Sequence, residues 1–503
     1  MLLEIIQSFV KEIKGTFSIL EEEIREKLDL SIIEAEIIKI VNKFVAKLLE
    51  ILLNNFFRDV DIWKKLKELG GHFALKYKEY RDVKLRLWNG ETITVSTPYF
   101  LKALPKKNRK KREKNGSGSY LCLEVLGVIE HCSPNLISDV VQMALLCPSL
   151  EVSRVVLSRR GIEMDVKTIR NLCNVLGGNG LLERGKISLN GEEDFTGKTV
   201  VIGIDGGRLR LRERKEGLKM EGQKREGFSP NWREPKLFTF YLLDEKGEID
   251  KEFIPIHDAT MENYKEMFVL LEKYLNILNL ETVSKIVFTG DGDDTIWLNV
   301  EELLKKINVP SEKIFQVLDY SHAKQNLYEI IGLVSFDKRI ASEKQFKDLL
   351  WKGDIARIEQ LIHKLIPSKK NRGKALKKWR NYFQKNEKRM QYENFKELLI
   401  PRGSGHVESA IRRVINLRLK APGTFWTKEM VVTERSRSAE CFLFLRSQLI
   451  SGRWDIFIKN ITQMKRIFLL PQCQSEVPLM NKKETHIFDL KIYNREKTFS
   501  NAA

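Results

Sequence analysis

The stretch Thr199-Val-Val-Ile-Gly-Ile-Asp-Gly-Gly-Arg208 decides the fold of this chain. Its apolar run, Val200 to Ile204, has the length of a β-strand and ends on Asp205, so the pattern predicts a strand with one carboxylate at its tip. Gly206 and Gly207 follow at once, and without a Cβ they would let backbone or substrate approach that carboxylate closely. A strand that ends in Asp-Gly is also typical of an ordinary turn, which is the alternative.

A second stretch, Ile286-Val-Phe-Thr-Gly-Asp-Gly292, repeats this arrangement and brings Asp291 to the end of another predicted strand. Two such strands favour a metal site, because phosphodiester chemistry uses carboxylates that hold hard Mg²⁺ ions. Glu408, in the first turn of a predicted helix, is the third candidate ligand, although a glutamate there is also favoured by the helix dipole. Asp293 and Asp294 compete with Asp291 as ligands.

The order of predicted elements around these residues indicates the fold class. After the Asp205 strand come two strands joined by a turn at Asp244-Glu-Lys-Gly247, and helices then alternate with strands. This order is typical of a ribonuclease H-like α/β core. Trp297 is expected in that core, with stacking on an unpaired base as the alternative. The predicted elements are strands at Leu237–Leu243, Ile249–Ile256 and Ile314–Leu318 and helices at Glu262–Leu278, Trp297–Ile307 and His406–Leu419.

The composition favours a polyanionic partner. Lysine and arginine number 87 against 68 aspartates and glutamates, a formal charge of +19 over 503 residues, and clustered basic residues bind nucleic acid. An acidic membrane surface is the competing partner, but no apolar run approaches the roughly 20 residues of a spanning helix. No cleavable signal opens the chain, so we expect a cytoplasmic, nucleoid-associated protein. The six cysteines form no Cys-x-x-Cys pair, so neither a zinc ribbon nor a disulfide framework is indicated.

The first 196 residues are predicted to be mostly helical. Residues 1–79 show helical spacing of apolar residues and form either a helical bundle or a surface that pairs two protomers. Alternation on both sides of Asn89-Gly90 predicts a β-hairpin. The helix Glu151–Arg160, a glycine turn and a helix that is capped by Asp165 and ends at Gly177-Gly178 indicate either a helix-turn-helix or an ordinary helical hairpin. In a helix-turn-helix, the DNA-facing residues would be Lys167, Thr168, Arg170 and Asn171.

Three basic segments are expected to hold phosphates. The first, 106–114, is a solvated linker or a phosphate-binding arm. The second, 208–225, begins with Arg208, Arg210 and Arg212, and the third, 369–380, includes Lys369, Lys370 and Arg372 in a helical insertion. The predicted organisation is a helical region (1–79), a hairpin and basic linker (80–118), a helix-turn-helix domain (119–196), the first part of the core (197–333), the basic insertion (334–402), the C-terminal helical part of the core (403–470) and a polar tail (471–503).

Four ordered blocks resemble the signature of bacterial insertion-sequence transposases of the DDE type, in the Kra-type group that is related to Mutator-like elements. The resemblance covers about residues 120 to 460. It implies a ribonuclease H-like core in which Asp205, Asp291 and Glu408 form the catalytic, metal-binding triad. It also implies an insertion before the glutamate and a supporting element made by Asp319 and His322, although His322 could instead cap or pack a helix. The blocks are Ile202-Gly-Ile-Asp-Gly-Gly-Arg208, Gly290-Asp-Gly-Asp-Asp-Thr-Ile-Trp297, Leu318-Asp-Tyr-Ser-His-Ala323 and Gly403-Ser-Gly-His-Val-Glu-Ser409.

The sequence therefore predicts a DNA transposase. It would bind double-stranded DNA at element terminal repeats and at the target, act as a homo-oligomer, and use two Mg²⁺ ions, with Mn²⁺ as a substitute, for strand cleavage and strand transfer. A nuclease that cuts without joining and a DNA-binding repressor that has lost its chemistry are the alternatives.

Overall fold

The computed structural model divides the chain into two compact units, each of which mixes helices and strands. The described residues up to Leu172, together with those from Ile458, form one unit, and the described residues of Cys173–Phe457 form the other. Both points of division, after Leu172 and after Phe457, lie within helices. None of the described helices is both long and apolar enough to cross a membrane. The structure describes residues 29–102, 118–185, 195–214, 228–278, 280–307, 309–427 and 438–463, with isolated positions before residue 29; the basic segment 106–114, positions 215–227 and the predicted tail lie outside them.

The first unit contains the predicted β-hairpin. Its elements are α1 (Leu30–Arg58), α2 (Val60–His72), β1 (Leu75–Arg86), β2 (Thr92–Lys102) and the short β3 (Gly118–Ser119). The strands turn at Asn89-Gly90, where Gly90 has a φ of 85° that glycine adopts without strain. Val83 and Val95 pair across the hairpin, and both are buried. The prediction is confirmed, but the helical prediction for residues 75–79 is wrong, because β1 pairs with β2 from Leu75 onward.

Four helices follow in α3 (Leu121–Val125), α4 (Pro134–Leu146), α5 (Leu150–Ser158) and α6 (Val166–Leu182). The predicted helix, glycine turn and capped helix are present, since Gly161 has a φ of 77° and Asp165 accepts a hydrogen bond from the Thr168 N–H at 2.7 Å. The predicted helix end at Gly177-Gly178 is wrong. A Cβ on Gly177 would lie 2.6 Å from the Cβ of Cys441, so this glycine permits close helix packing rather than ending the helix.

The second unit is built around a mixed five-stranded sheet. Its strands, with those of a second sheet, are β4 (Thr199–Gly206), β5 (Leu209–Arg214), β6 (Phe228–Arg233), β7 (Lys236–Leu243), β8 (Ile256–Thr260), β9 (Lys285–Gly290), β10 (Ile314–Leu318) and β11 (Trp426–Thr427). The order in the main sheet is β10-β9-β4-β7-β8. Strand β7 lies between β4 and β8 and runs antiparallel to both, whereas β9 and β10 run parallel to β4. The predicted strand at Ile314–Leu318 is confirmed.

The third strand of the sheet lies later in the chain than predicted. The turn at Asp244–Gly247 is present, and Leu243 and Ile249 form only an isolated bridge after it. The Asp250 carboxylate accepts hydrogen bonds from Lys198 at 2.5 Å and from the Glu252 N–H at 2.9 Å. The predicted strand Ile249–Ile256 is therefore wrong in position, because its side chains and backbone make these bonds and the strand forms at Ile256–Thr260.

A small sheet of order β11-β5-β6 was not predicted. Its signal is present in Arg208-Leu-Arg-Leu-Arg212, where Leu209 and Leu211 are buried and alternate with arginines. Alternation of apolar and polar residues with a period of two is typical of a half-buried strand. The sequence-based prediction for this segment rests instead on its positive charge.

The second unit also contains the remaining helices, the last of which continues past Phe457, where the unit ends. A helical insertion of four helices, with a π-helical turn at Trp379–Gln384, shares one continuous apolar core with the sheet, because Phe346, Phe383 and Phe395 belong to the same cluster as Val201 and Phe288. The helices are α7 (Tyr264–Leu275), α8 (Asp294–Leu304), α9 (Tyr320–Ile331), the insertion helices α10 (Phe336–Lys352), α11 (Ile355–Leu365), α12 (Lys369–Lys378) and α13 (Tyr392–Glu397), then α14 (Gly405–Ile411) with a π-helical turn at Arg412–Asn416, α15 (Ser438–Ile450) and α16 (Trp454–Gln463).

A buried ionic cluster joins three of these elements. Arg184 donates to both carboxylate oxygens of Asp258 on β8, at 2.8 and 2.6 Å, and to Glu440 on α15 at 2.6 Å. Tyr274 of α7 also donates to Asp258, at 2.9 Å. Because the two acids share one guanidinium and accept further hydrogen bonds, the cluster is satisfied within the protein. Helix α15 packs along β8 and covers this edge of the sheet.

Candidate active site

Three acidic residues lie at the carboxyl ends of three adjacent parallel strands. Asp205 is the seventh residue of β4, and Asp291 directly follows β9. Gly203 pairs with Thr289 in the parallel register, so two residues further on Asp205 lies beside Asp291 on the same sheet face. Asp319 directly follows β10, and its N–H donates to the Gly290 carbonyl at 2.9 Å. Ligand sites form at such strand ends in open α/β sheets.

Helix α14 brings Glu408 to this face of the sheet. Gly203 and Asp205 point to the same side of β4, because side chains alternate along a strand. An added Cβ on Gly203 would lie 3.0 Å from the Cβ of Val407, so the missing side chain leaves room for α14. Glu408 follows Val407 and lies in the first turn of α14, as predicted.

The pKa of Asp205 is affected by the charges of the other candidate residues. Burial raises the pKa of Asp205 to about 6, and the nearby carboxylates of Asp291 and Glu408 raise it further, against the lowering effects of the Gly206 N–H and of His322. The Gly206 N–H donates to Asp205 at 2.6 Å. Asp205 is therefore within electrostatic reach of both other carboxylates, and a carboxylate with a raised pKa beside like charges is common at functional sites.

The carboxylates of Asp205, Asp291 and Glu408 have the ligand chemistry that Mg²⁺ prefers. All three offer hard oxygen atoms, and none forms an ion pair with a residue in the part of the chain that the structure describes. Among the described residues, the hydrogen bond that Glu408 accepts is a long one, from the Ser404 hydroxyl at 3.4 Å. The described residues include no group of three acidic, histidine or cysteine side chains drawn together closely enough to ligate one ion.

The two aspartates that compete with Asp291 have other partners. Asp293 is the N-cap of α8 and accepts from the Thr295 N–H at 2.8 Å. Asp294 pairs with Lys385 of the insertion. Trp297 is buried, as expected, and its indole N–H donates to the Asp291 carbonyl at 2.8 Å. The indole therefore fixes the backbone that carries Asp291.

Asp319 joins the elements that carry the candidate site. One of its carboxylate oxygens accepts from the His322 N–H at 2.8 Å and caps α9, and the other accepts from the Ser404 N–H. Its side chain is 1% exposed. A buried carboxylate with these two backbone donors fixes the start of α14 relative to β10. The Nδ1 atom of His322 is buried and has no hydrogen-bond partner among the described residues.

The two glycines after Asp205 have a different role from the one predicted. A Cβ on Gly206 would lie 1.9 Å from Oε1 of Glu234, and one on Gly207 would lie 2.5 Å from the Cδ1 of Ile415. The space next to the strand end is filled by these two side chains rather than left open for substrate. Glu234 itself forms an ion pair with Lys236 at 2.9 Å.

Two tyrosines near the carboxylates were missed by sequence reasoning. Burial raises the pKa of Tyr264, and the charges of Glu234, Asp291, Asp293 and Asp205 raise it further. Burial likewise raises the pKa of Tyr382, with a further contribution from Asp291. A Cβ on Gly292 would lie 2.3 Å from the Tyr382 ring. Tyr382 lies in the π-helical turn of the insertion, 91 residues after Asp291, and no local pattern connects the two positions.

The predicted phosphate-binding residues of the second unit differ in exposure. Arg208 and Arg212 are exposed, as are Lys369 and Lys370 at the start of α12. Arg210 is half-buried and donates to the Ala421 carbonyl at 3.1 Å. Arg372 donates to the Ile366 carbonyl at 3.3 Å, at the end of α11. Arg210 and Arg372 therefore have structural contacts of their own.

The predicted DNA-facing residues of α6 lie in the other unit. Lys167, Arg170 and Asn171 are exposed on the first turns of the helix. The Thr168 hydroxyl donates to the capping Asp165 carboxylate at 3.0 Å. This threonine stabilises the start of α6, whereas the other three side chains face solvent.

The structure thus defines a mixed α/β protein with acidic residues at the carboxyl ends of the parallel strands of its main sheet. No protein-family model matches the chain, and no curated protein is significantly similar to it. Among solved structures, the Drosophila P element transposase strand transfer complex is similar at 10% identity, over 68% of this chain and 80% of that chain, with a TM-score of 0.24. A TM-score of this size does not establish a common fold.

Proposed function

We propose that this protein is a metal-dependent DNA transposase of the DDE type with a ribonuclease H-like core. The observation that carries the proposal is the placement of Asp205, Asp291 and Glu408 on one face of the main sheet. The strand order supports it, since three antiparallel strands in chain order are followed by two strands parallel to the first. The resemblance of the four sequence blocks to Kra-type transposases points to the same three residues.

Each carboxylate has a distinct role in this proposal. Asp205, on the central strand, would hold Mg²⁺ together with Asp291 and Glu408 on either side of it. Bound Mg²⁺ would activate the attacking oxygen and stabilise the leaving oxygen of the phosphodiester. Asp319 and Trp297 hold the backbones of Ser404 and Asp291 and so keep the flanking ligands in position.

Recognition of DNA is assigned to the first unit. Helices α5 and α6 with the turn at Gly161 form a helix-turn-helix, and Lys167, Arg170 and Asn171 contact the DNA. Replacing both Lys167 and Arg170 by alanine should weaken binding to element ends and lower its salt dependence. Arg154→Ala is the matched control, because Arg154 is already paired with Glu151 on α5 at 2.6 Å.

Cleavage and strand transfer on DNA with the flanking element ends test the chemistry. Glu408→Gln and Asp291→Asn should abolish both steps in magnesium while DNA binding persists. Asp294→Asn is the matched control for Asp291→Asn, because Asp294 is committed to Lys385. Activity that survives Glu408→Gln would refute the triad. Cleavage without joining would identify a nuclease, and specific binding without cleavage would identify a repressor.

A further inference from the structure

A basic and aromatic surface lies on the small sheet that follows Asp205. Arg210 and Trp232 are directly opposite each other in the antiparallel β5–β6 pair, so their side chains share one face. Trp426 of β11 pairs with Leu211, which places the preceding residue, Phe425, on the face of Arg210. The other face carries the buried Leu209 and Leu211. The solvent-facing side is termed the ribbon face and consists of Arg210, Arg212, Trp232 and Phe425.

Trp232 is exposed on this face and lies next to the Arg210 guanidinium. It is 52% exposed, so its ring is accessible to a partner that can stack on it. The Arg210 guanidinium lies 5.5 Å from its ring centroid and 4.8 Å from that of Phe425. Arg210 is itself fixed by its bond to Ala421. An aromatic ring supported by a fixed cation loses little conformational freedom when it binds a flat partner.

The ribbon face is close to the candidate active site along the chain. Arg210 is five residues after Asp205, and extended chain spans at most about 3.6 Å per residue, so the Cα atoms of the two residues lie within about 18 Å of each other. A DNA strand whose phosphate lies at Asp205 would pass this surface within a few nucleotides. The positive charge of Arg210 and Arg212 complements its phosphates.

We propose that the ribbon face binds an unpaired nucleotide of the DNA strand next to the cleavage position, with the base stacked on Trp232. This inference rests on the proposed function. Both faces of a base are covered in a duplex, so the nucleotide must be unpaired or extruded to reach the ring. Every base has a π-face, so the contact is tolerant of sequence.

Equilibrium binding of the full chain without magnesium tests this contact, since no cleavage is then required. The probes are a labelled thymidine 20-mer and a fully paired duplex of the same length. Trp232→Ala should weaken binding of the single strand by about 5- to 150-fold, the value of one base stack, and leave duplex binding within twofold. Trp232→Phe retains a ring and should restore most of the affinity. Trp88→Ala is the matched control, because Trp88 is 45% exposed but lies in the other unit.

Salt dependence separates stacking from charge. Trp232→Ala should leave the slope of log Kd against log salt unchanged, because stacking releases no counterions, whereas Arg212→Gln should reduce it. Single-strand binding that is unaffected by Trp232→Ala, or an equal loss for the duplex, would overturn the proposal. Because binding is read without magnesium, a failure of cleavage would refute the proposed function and leave this test intact.

Discussion

Replacement of Asp205 by asparagine should stabilise the metal-free protein at neutral and alkaline pH. Burial raises the pKa of Asp205 from 3.8 to about 6, so the folded chain disfavours the charged carboxylate. The unfolded chain releases this proton near pH 4 and the folded chain near pH 6. Folding stability therefore falls as the pH rises through that interval and stays constant above it. The rise in pKa corresponds to about 3 kcal/mol, and asparagine removes this loss because it carries no charge.

Thermal unfolding of both proteins in a metal chelator measures the effect. At pH 8 the transition of the Cys173–Phe457 unit should rise by about 6 °C in Asp205→Asn, at about 2 °C per kcal/mol. Near pH 4 the two proteins should have the same melting temperature. The effects of other titrating groups on this difference cancel, because both proteins contain them. Asp294→Asn is the control, because it removes a surface carboxylate that pairs with Lys385. A difference that does not change with pH would refute the raised pKa.

Magnesium provides the second half of the same experiment. A ligand that binds only the folded state stabilises it, so added magnesium should raise the melting temperature of the wild type and leave Asp205→Asn nearly unchanged. The gain in the wild type should shrink below pH 6, where protons compete for Asp205. Equal stabilisation of both proteins by magnesium would show that Asp205 is not a ligand.

Three further predictions concern the second unit. Arg184→Met should lower the free energy of unfolding by about 3 to 5 kcal/mol in urea titrations, because it leaves Asp258 and a second acid buried without their cation. Gly177→Ala should destabilise by about 1 to 3 kcal/mol through overpacking, whereas Gly373→Ala, with open space around it, should stabilise α12 by up to about 1 kcal/mol. Burial and Arg413 lower the pKa of His257 to about 3, so its ring should stay neutral in NMR spectra at pH 5, and stability from this residue is lost as the pH falls from 6.5 towards 3.

Sequence patterns were sufficient for the elements whose signal is local. The hairpin at Asn89-Gly90, the strand ends at Asp205 and Asp291, and the helix start before Glu408 all depend on neighbouring residues. Local signals failed where a distant partner decides. Gly177 looks like a helix end, yet it lies within a helix because Cys441, 264 residues away, packs against it.

Some residues of the candidate site follow from a local sequence pattern, whereas others are brought there only by tertiary packing. Asp205 and Asp291 are visible because apolar strands precede them. Glu234 and Tyr382 carry no such signal, since tertiary packing alone brings Glu234 to Gly206 and Tyr382 to Gly292. The small sheet could have been predicted from Arg208-Leu-Arg-Leu-Arg212, because leucine and arginine alternate there as in a strand with one buried face.

The covering of β8 by α15 affects how the protein is made. Synthesis delivers all five strands of the main sheet by Leu318, long before the ribosome reaches Ser438, the first residue of α15. Until then β8 remains an open strand edge, which is prone to pair with other chains. Helix α14, which carries Glu408, is also absent until residues 405–411 emerge. A truncated product that stops between Leu318 and Ser438 should therefore aggregate in the cell.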